Sequence, residues 1–259
     1  MRIISIMLVL ISLIVSVSFA QNELDDSLIL YMSFDTIDDE KATDHSMHGN
    51  HGDIKGDPKL VEGKFGKALQ LNGQSDWVEI PHHESLTVDK NVTVMAWINA
   101  ERHTGPNNAQ WQGILAKGNN PRSYSFYTDS ACECLHFSVG PPNGGGTLSQ
   151  GKVQLNVWQH VVAQIDNGTH RYWINGQKVG ESVNKPDPPG LTDTSNVFIG
   201  TDSGGAAQMY LGLMDEVRIW NRALTEDEIN EQMNKGHFEI FPVDPRQKLT
   251  TTWGHLKVE

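Results

Sequence analysis

Over most of the chain, apolar and polar positions alternate with a period of two, in short runs that end at turn residues. Residues 27–34 (SLILYMSF), 67–72 (KALQLN), 76–80 (DWVEI) and 92–98 (VTVMAWI) are the first of these. That period is the signature of a strand with one buried face. In the fourth run Val92, Val94, Ala96 and Ile98 share one face, with Met95 and Trp97 on the other. Gly73-Gln74-Ser75 joins the second run to the third as a hairpin, Pro81 stops the third, and residues 84–88 read as a single helical turn. Residues 101–113 read as a loop that holds Trp111. Short strands follow at 114–117, 124–127 and 135–139, then a flexible PPNGGG loop at 141–146. Asp166-Asn167-Gly168 turns residues 158–165 (WQHVVAQI) into 171–174 (RYWI), and Asn175-Gly176 turns that strand into 177–183. After the rigid KPDPPG break at 185–190, residues 196–200 and 210–220 are the last strands expected before the C-terminal segment.

Residues 214–235 (MDEVRIWNRALTEDEINEQMNK) change character midway, from strand to helix. Alternation in MDEVRIW puts Asp215, Val217 and Ile219 on one face and Glu216, Arg218 and Trp220 on the other. Val and Ile mark the buried face, so Asp215 is expected to point inward, where a carboxylate is costly unless neutralised or hydrogen-bonded. Thr225 and Glu228 form a T-x-x-E capping box, and Leu224 is placed to staple onto Ile229. Glu226 and Asp227 suit the positive end of the helix dipole, and Gly236 is the expected C′ stop. Many short strands, frequent turns and one C-terminal helix predict an all-β sandwich of two antiparallel sheets. No repeat of solenoid or propeller period is present.

The chain has 259 residues, 38% of them hydrophobic, enough for one sizeable core. Its formal charge of -12 is spread along the sequence, which disfavours nucleic acid and anionic membrane as partners and leaves divalent cations and neutral glycans open. Residues 1–20 have an early cation (Arg2), an apolar run and a Ser18-Phe19-Ala20 ending. They read as a signal peptide cleaved after Ala20, the alternative being an uncleaved anchor. No later segment is apolar enough to span a bilayer, so the mature protein is expected to be exported. The expected domain is 21–236. Residues 237–259, with Pro242, Pro245 and a β-prone KLTTTWGHLKV patch, read as a tail, an extra edge strand or a secretion tag. Cys132 and Cys134 form a C-x-C pair. A disulfide between them is allowed in an exported chain but needs a local bend, and free thiols or an intermolecular bond are the alternatives. The histidines of residues 44–52 (DHSMHGNHG) and His82-His83 lack metal-ligand spacing and read as solvated loop positions.

Several motifs occur together and in order: LQLNGQSDWVEIP, VTVMAWINA, GILAKG, LHFSVG, WQHVVAQIDNGTHRYWINGQKVG, VFIG and LGLMDEVRIWNRALTEDEI. Over Leu28 to Gly236 the chain resembles the LamG-like (laminin G-like, concanavalin A-type) jelly-roll domains of secreted bacterial proteins. The resemblance implies two curved antiparallel sheets. It also implies membership of a family that includes glycan-binding modules, adhesive domains and appendages of hydrolases. Trp97, Trp158, Trp173 and Trp220 fall at framework positions of that pattern. Trp111 and Tyr124 fall outside them and are the candidates for stacking on a sugar ring. Related glucanases hold a structural calcium ion, and by motif its ligands would be Asp215, Asp35 at the end of the first strand and the carbonyl of Gly73. The other roles open to Asp215 are a turn cap or an arginine partner.

Glucanases of similar fold carry paired acids on one strand, in an E-x-D-x-x-E or close arrangement. This sequence has no such strand, and no G-x-S-x-G elbow. The expected function is therefore a secreted, non-catalytic module that binds carbohydrate or acts in adhesion, with a structural calcium ion. The alternatives are a glycan-active hydrolase or an extracellular protein-interaction domain. Its partner would be a glycan or an extracellular protein.

Overall fold

The computed structural model describes residues 25–38, 40–118, 121–140, 146–188, 190, 193–204 and 208–240. The expected leader 1–20 and most of the C-terminal segment, 241–259, lie outside them. Seventeen strands run β1 (Leu28–Met32), β2 (Ile37–Asp38), β3 (Lys41–Ala42), β4 (Gly52–Lys55), β5 (Lys59–Glu62), β6 (Lys67–Asn72) and β7 (Trp77–Ile80). They continue with β8 (Asn91–Ala100), β9 (Trp111–Lys117), β10 (Arg122–Asp129), β11 (Cys134–Gly140), β12 (Thr147–Lys152) and β13 (Gln159–Asp166). The last are β14 (Thr169–Ile174), β15 (Gln177–Ser182), β16 (Val197–Ile199) and β17 (Leu211–Trp220). Helix α1 (Glu226–Met233) and a single turn α2 (His237–Ile240) follow, so the first residues after 236 are helical.

The strands form two antiparallel sheets, one of eight strands ordered β15-β14-β13-β8-β17-β6-β5 with β1 also on β17, and one of nine ordered β12-β11-β10-β9-β16-β7-β4-β3-β2. Their inner faces meet in one core. Val92, Val94, Ala96 and Ile98 of β8 lie in it, as the alternation predicts, beside Tyr124, Phe126, Phe137, Val217 and Ile219. A second apolar layer covers the other face of the eight-stranded sheet. There Tyr31, Met95, Val162, Trp173 and Trp220 pack under Leu224 and Ile229. The capping box of α1 is present in both directions: Thr225 Oγ1 accepts from Glu228 N–H, and the Glu228 carboxylate accepts from Thr225 N–H. Gly236 has another role than the expected left-handed stop. A Cβ there would come 2.7 Å from Phe65 Cβ, so the glycine lets the chain pass over that ring.

One irregularity overturns the expected alternation in β17. Met214 and Val217 both face the inter-sheet core although they are three residues apart. The register against β8 jumps between Asp215↔Trp97 and Arg218↔Met95, and Glu216 adopts φ 54. This is a β-bulge, with one extra residue on β17. Residues directly opposite on paired strands share a face, so Asp215 stands with Trp97 on the helix-covered side. The sequence placed it with Val217 and Ile219; the bulge separates them.

Beyond the bulge, Arg218 is fully buried on that same side. It pairs with Glu216, stacks over the Tyr31 ring at 4.4 Å, and donates to the carbonyls of Gln232 at 2.9 Å and Lys235 at 2.6 Å. Tyr31 donates to Glu216 Oε2 at 2.7 Å. The end of α1 is thus tied to the sheet through one guanidinium. Breaking a buried pair from one side costs about 3–5 kcal/mol because a charge is left unpaired. Arg218→Met is expected to lower unfolding free energy by that order in urea titrations, and the double variant Glu216→Met/Arg218→Met to recover more than half of the loss.

Candidate functional site

Two sets of side chains outside the core are arranged for chemistry, one on each sheet. The first is on the outer face of the nine-stranded sheet. In β10, Tyr124 and Phe126 point into the core, and alternation sends Ser125, Tyr127 and Asp129 outward. Tyr124, expected as a stacking platform, is wholly buried and donates to the Leu86 carbonyl at 2.9 Å. Tyr127 takes its place. It stands directly opposite His136 of β11, and Asp129 stands opposite Trp111 of β9. Strand β9 begins at Trp111 itself, inside the expected loop, and so holds that indole on the sheet.

These side chains line a pocket of about 340 Å³ formed by Trp111, Arg122, Tyr127, His136, Asp202 and Gln208, with Ser138 and Gly146 at its margin. Trp111 and Tyr127 each meet the His136 ring edge-to-face, with centroids 5.8 Å apart. Asp129 lies beneath. Its carboxylate accepts from Trp111 Nε1 at 3.0 Å, from Gln110 Nε2 at 3.0 and 3.1 Å, and from Ala131 N–H at 2.9 Å. That clamp sets the indole's angle. Burial lowers the His136 ring below its ordinary value, although Asp129 pulls the other way. The opposite wall comes from the loop after β16. Gly113 admits it, because a Cβ at 113 would come 2.7 Å from the Thr201 carbonyl oxygen, and Gly113 N–H donates to the Gln208 carbonyl at 2.7 Å. The Gln208 amide, oriented with its nitrogen toward the carboxylate, donates to both Asp202 oxygens at 2.5 Å. Burial raises the Asp202 carboxyl above its ordinary value. The hairpin turn beside the pocket is closed by a Cys132–Cys134 disulfide, Cα atoms 5.1 Å apart, which resolves the C-x-C alternatives in favour of the local bridge.

The second set surrounds the turn between β5 and β6. Asp215 Oδ2 accepts from Phe65 N–H at 2.9 Å and Asp35 Oδ1 accepts from Lys67 N–H at 3.0 Å, so both carboxylates hold one short turn. Gly63 and Gly66 make room for them: a Cβ on Gly63 would lie 2.7 Å from Asp215 Oδ2, and one on Gly66 would strike Asp35 Oδ1. Gly73, the expected third ligand, is not here. It sits at the far end of β6, and its carbonyl accepts from Arg102 Nη2 at 3.0 Å. The glycines that belong to this turn are those of Gly63-Lys64-Phe65-Gly66, a spacing legible in the sequence. Asp215 Oδ1 is buried with no hydrogen-bond partner. Burial, with the charges of Glu216 and Asp35, pushes its pKa up to about 8. An orphaned, oxygen-only site with two carboxylates suits a hard cation better than zinc. Among the described residues no group of three His, Cys, Asp or Glu side chains converges as a metal cluster. The histidine-rich loop is structural: Asp44 accepts from Tyr31 N–H, Ser46 N–H and Asn50 N–H.

A family model described as "Concanavalin A-like lectin/glucanases superfamily" matches residues 72–230. Among solved structures, domain 4 of AbnA, a GH43 extracellular arabinanase from Geobacillus stearothermophilus in complex with arabinotriose, superposes with a TM-score of 0.63 at 22% identity, over 80% of this chain and 98% of that one. The binding domain of Paraclostridial Mosquitocidal Protein 1 gives 0.65 at 17% identity, covering 81% of this chain and 52% of that one. Botulinum neurotoxin type C, whose cell entry depends on interaction with two ganglioside molecules, gives 0.62 at 15% identity, covering 81% and 51%. The chain therefore spans nearly all of the first and about half of the other two. At these identities the likeness is one of fold.

The raised Asp215 value has a measurable consequence. Asp215 holds its proton in the folded protein at pH values where the unfolded chain has lost it. Its contribution is therefore full below the ordinary carboxylate range and is lost as pH rises toward 8. His45 and His170, at about 4, and His160, at about 3, act oppositely, but below the ordinary imidazole value of 6.5. In chelator, urea-unfolding free energy is expected to fall between pH 6.5 and 8, with a limiting slope on the order of 1.4 kcal/mol per pH unit for that proton. Asp215→Asn is expected to flatten much of that fall.

Proposed function

The chain belongs to the concanavalin A-like lectin/glucanases superfamily, and from that premise we propose that it is an extracellular, non-catalytic carbohydrate-binding module whose ligand seat is the pocket of Trp111, Tyr127 and His136. The composition of the pocket carries this reading. A half-buried indole beside the buried Tyr127 offers an apolar face for the C–H side of a sugar ring, and Arg122, Asp202 and Gln208 offer donors and acceptors for its hydroxyl groups. Tyr127 and His136 stand on paired strands, so the floor is pre-formed. The bound arabinotriose of the arabinanase domain and the gangliosides of the neurotoxin are precedents for glycan recognition on this fold. The non-catalytic reading rests on the state of the acids: Asp129 accepts from Trp111, Gln110 and Ala131, and Asp202 is held by Gln208 and by Ser203 Oγ at 3.2 Å. Export is read from residues 1–20.

We further propose a calcium ion at Asp35 and Asp215, with carbonyl groups of the 63–67 turn completing the protein share. Such an ion would supply the positive charge that the orphaned Asp215 oxygen lacks. It would act as a structural staple between the end of the first strand, β17 and that turn.

A glycan array on the calcium-loaded mature protein identifies the ligand class. For the glycan bound most tightly, Trp111→Ala is expected to weaken affinity at least about tenfold, about 1.4 kcal/mol, whereas Tyr124→Phe, buried in the core, leaves it unchanged. Equal affinity in wild type and Trp111→Ala would remove the pocket from consideration. For the cation, the melting midpoint is expected to be higher in excess calcium than in chelator, and this difference is expected to vanish in Asp215→Asn. A wild-type midpoint indifferent to calcium would sink the site.

A further inference from the structure

The Cys132–Cys134 bridge lies where it governs the pocket. It closes the turn between β10 and β11, and Cys134 is the direct strand partner of Asp129. Asp129 is the residue that clamps the Trp111 indole, and one of its donors, Ala131 N–H, belongs to the bridged turn itself. His136, which meets both pocket aromatics, is two residues beyond Cys134 on the same outer face, and its Nδ1 lies 3.5 Å from Asp129 Oδ2. Glu133, between the cysteines, holds φ 54, a left-handed conformation that a glutamate rarely adopts and that the bridge helps to fix. Lys152 Nζ donates to the Cys132 carbonyl at 2.8 Å and to Glu133 Oε2 at 3.3 Å, and Val153 N–H donates to the Glu133 carbonyl at 2.7 Å. Cys134 is buried and Cys132 is partly exposed, so an external thiol meets Cys132 first.

We propose that this disulfide is a redox-sensitive positioning device for the glycan pocket: intact, it sets Asp129 and through it the Trp111 platform; reduced, it releases both. The proposal rests on the glycan reading of the pocket. In the reaction, an external dithiol attacks the Cys132–Cys134 bond as a thiolate and forms a mixed disulfide. Its second thiolate then expels the protein sulfur. Two protein thiols and one oxidised dithiol result, with two electrons passing to the protein sulfurs. The turn loses its cross-link, Glu133 relaxes from the left-handed region, and Ala131 N–H moves off Asp129. Asp129 then keeps its Trp111 and Gln110 contacts without the backbone N–H of the bridged turn behind them. The sandwich is unaffected, because Phe126, Phe137 and Leu135 remain in the inter-sheet core.

The test uses the mature chain with and without dithiothreitol, its redox state read by intact mass. Amide hydrogen exchange at residues 110–111 and 130–134 is expected to rise at least tenfold on reduction while the eight-stranded sheet is unchanged. Affinity for the glycan selected by the oxidised protein is expected to drop at least tenfold and to return on reoxidation. Cys132→Ser is expected to show the reduced-state exchange and affinity whether or not dithiothreitol is present. Exchange and affinity that are the same in both redox states would overturn the proposal. A rise in exchange across both sheets would overturn it too, by making the bridge a global staple. If the oxidised protein selects no glycan, the glycan reading fails, and hydrogen exchange alone still decides whether the bridge controls Trp111.

Discussion

The bulge at Glu216 and the buried guanidinium of Arg218 are the constraint on which the architecture turns. One extra residue in β17 reverses the face to which every preceding side chain points, so Asp215 leaves the inter-sheet core and joins the helix-covered side. Arg218 makes that side habitable. Its charge meets Glu216 and the Tyr31 ring, and Nη1 and Nη2 also donate to the carbonyls of Gln232 and Lys235. A buried cation of this kind gains little over an apolar replacement but fixes one geometry, since any other leaves charges and carbonyls unpaired. Through it the sheet, the helix and residues 234–235 hold one position relative to each other. The turn of Gly63–Lys67, seated on Asp215 and touching Gly236 through Phe65, is fixed by the same arrangement.

The two candidate sites therefore serve different ends and sit on different sheets. The carboxylate pair at Asp35 and Asp215 closes the fold: it gathers the end of the first strand, the turn before β6 and the middle of β17. The aromatic pocket faces solvent from the other sheet and depends on neither. Its geometry is local to the β10–β11 hairpin, where Asp129 converts the conformation of a tight, disulfide-closed turn into the angle of an indole. Separation of this kind lets the binding face vary while the closure stays intact.

Strand alternation was readable wherever the ladder is regular. Val92 through Ile98 lie as their period requires, the T-x-x-E box caps α1, and of the four framework tryptophans Trp97, Trp173 and Trp220 are buried and Trp158 is half-buried. In SYSFYTD the same period already carried the answer for the pocket. Tyr124 shares parity with Phe126 and so must point inward, which leaves Tyr127 as the outward aromatic. Glycines were harder. Gly73 lies in what reads as a hairpin signal, but β6 and β7 belong to different sheets and do not pair, and its carbonyl serves Arg102. The glycines that matter at the carboxylate turn are Gly63 and Gly66, and what identifies them is the approach of Asp215 and Asp35 from distant parts of the chain.

By itself the sequence determined the class of the protein: short amphipathic strands, a capped helix and a run of motifs that together specify a concanavalin A-like sandwich. Those properties are local, because the period of a strand and the cap of a helix are set by neighbours a few residues away. Only the tertiary structure decided which face Asp215 occupies and how Asp202 comes to stand across from Trp111. Each of these depends on a residue inserted into a ladder or on a loop seated against a remote strand. The hydrogen bonds that settle them join partners up to 150 residues apart, as between Phe65 and Asp215. No local pattern encodes a partner at that distance.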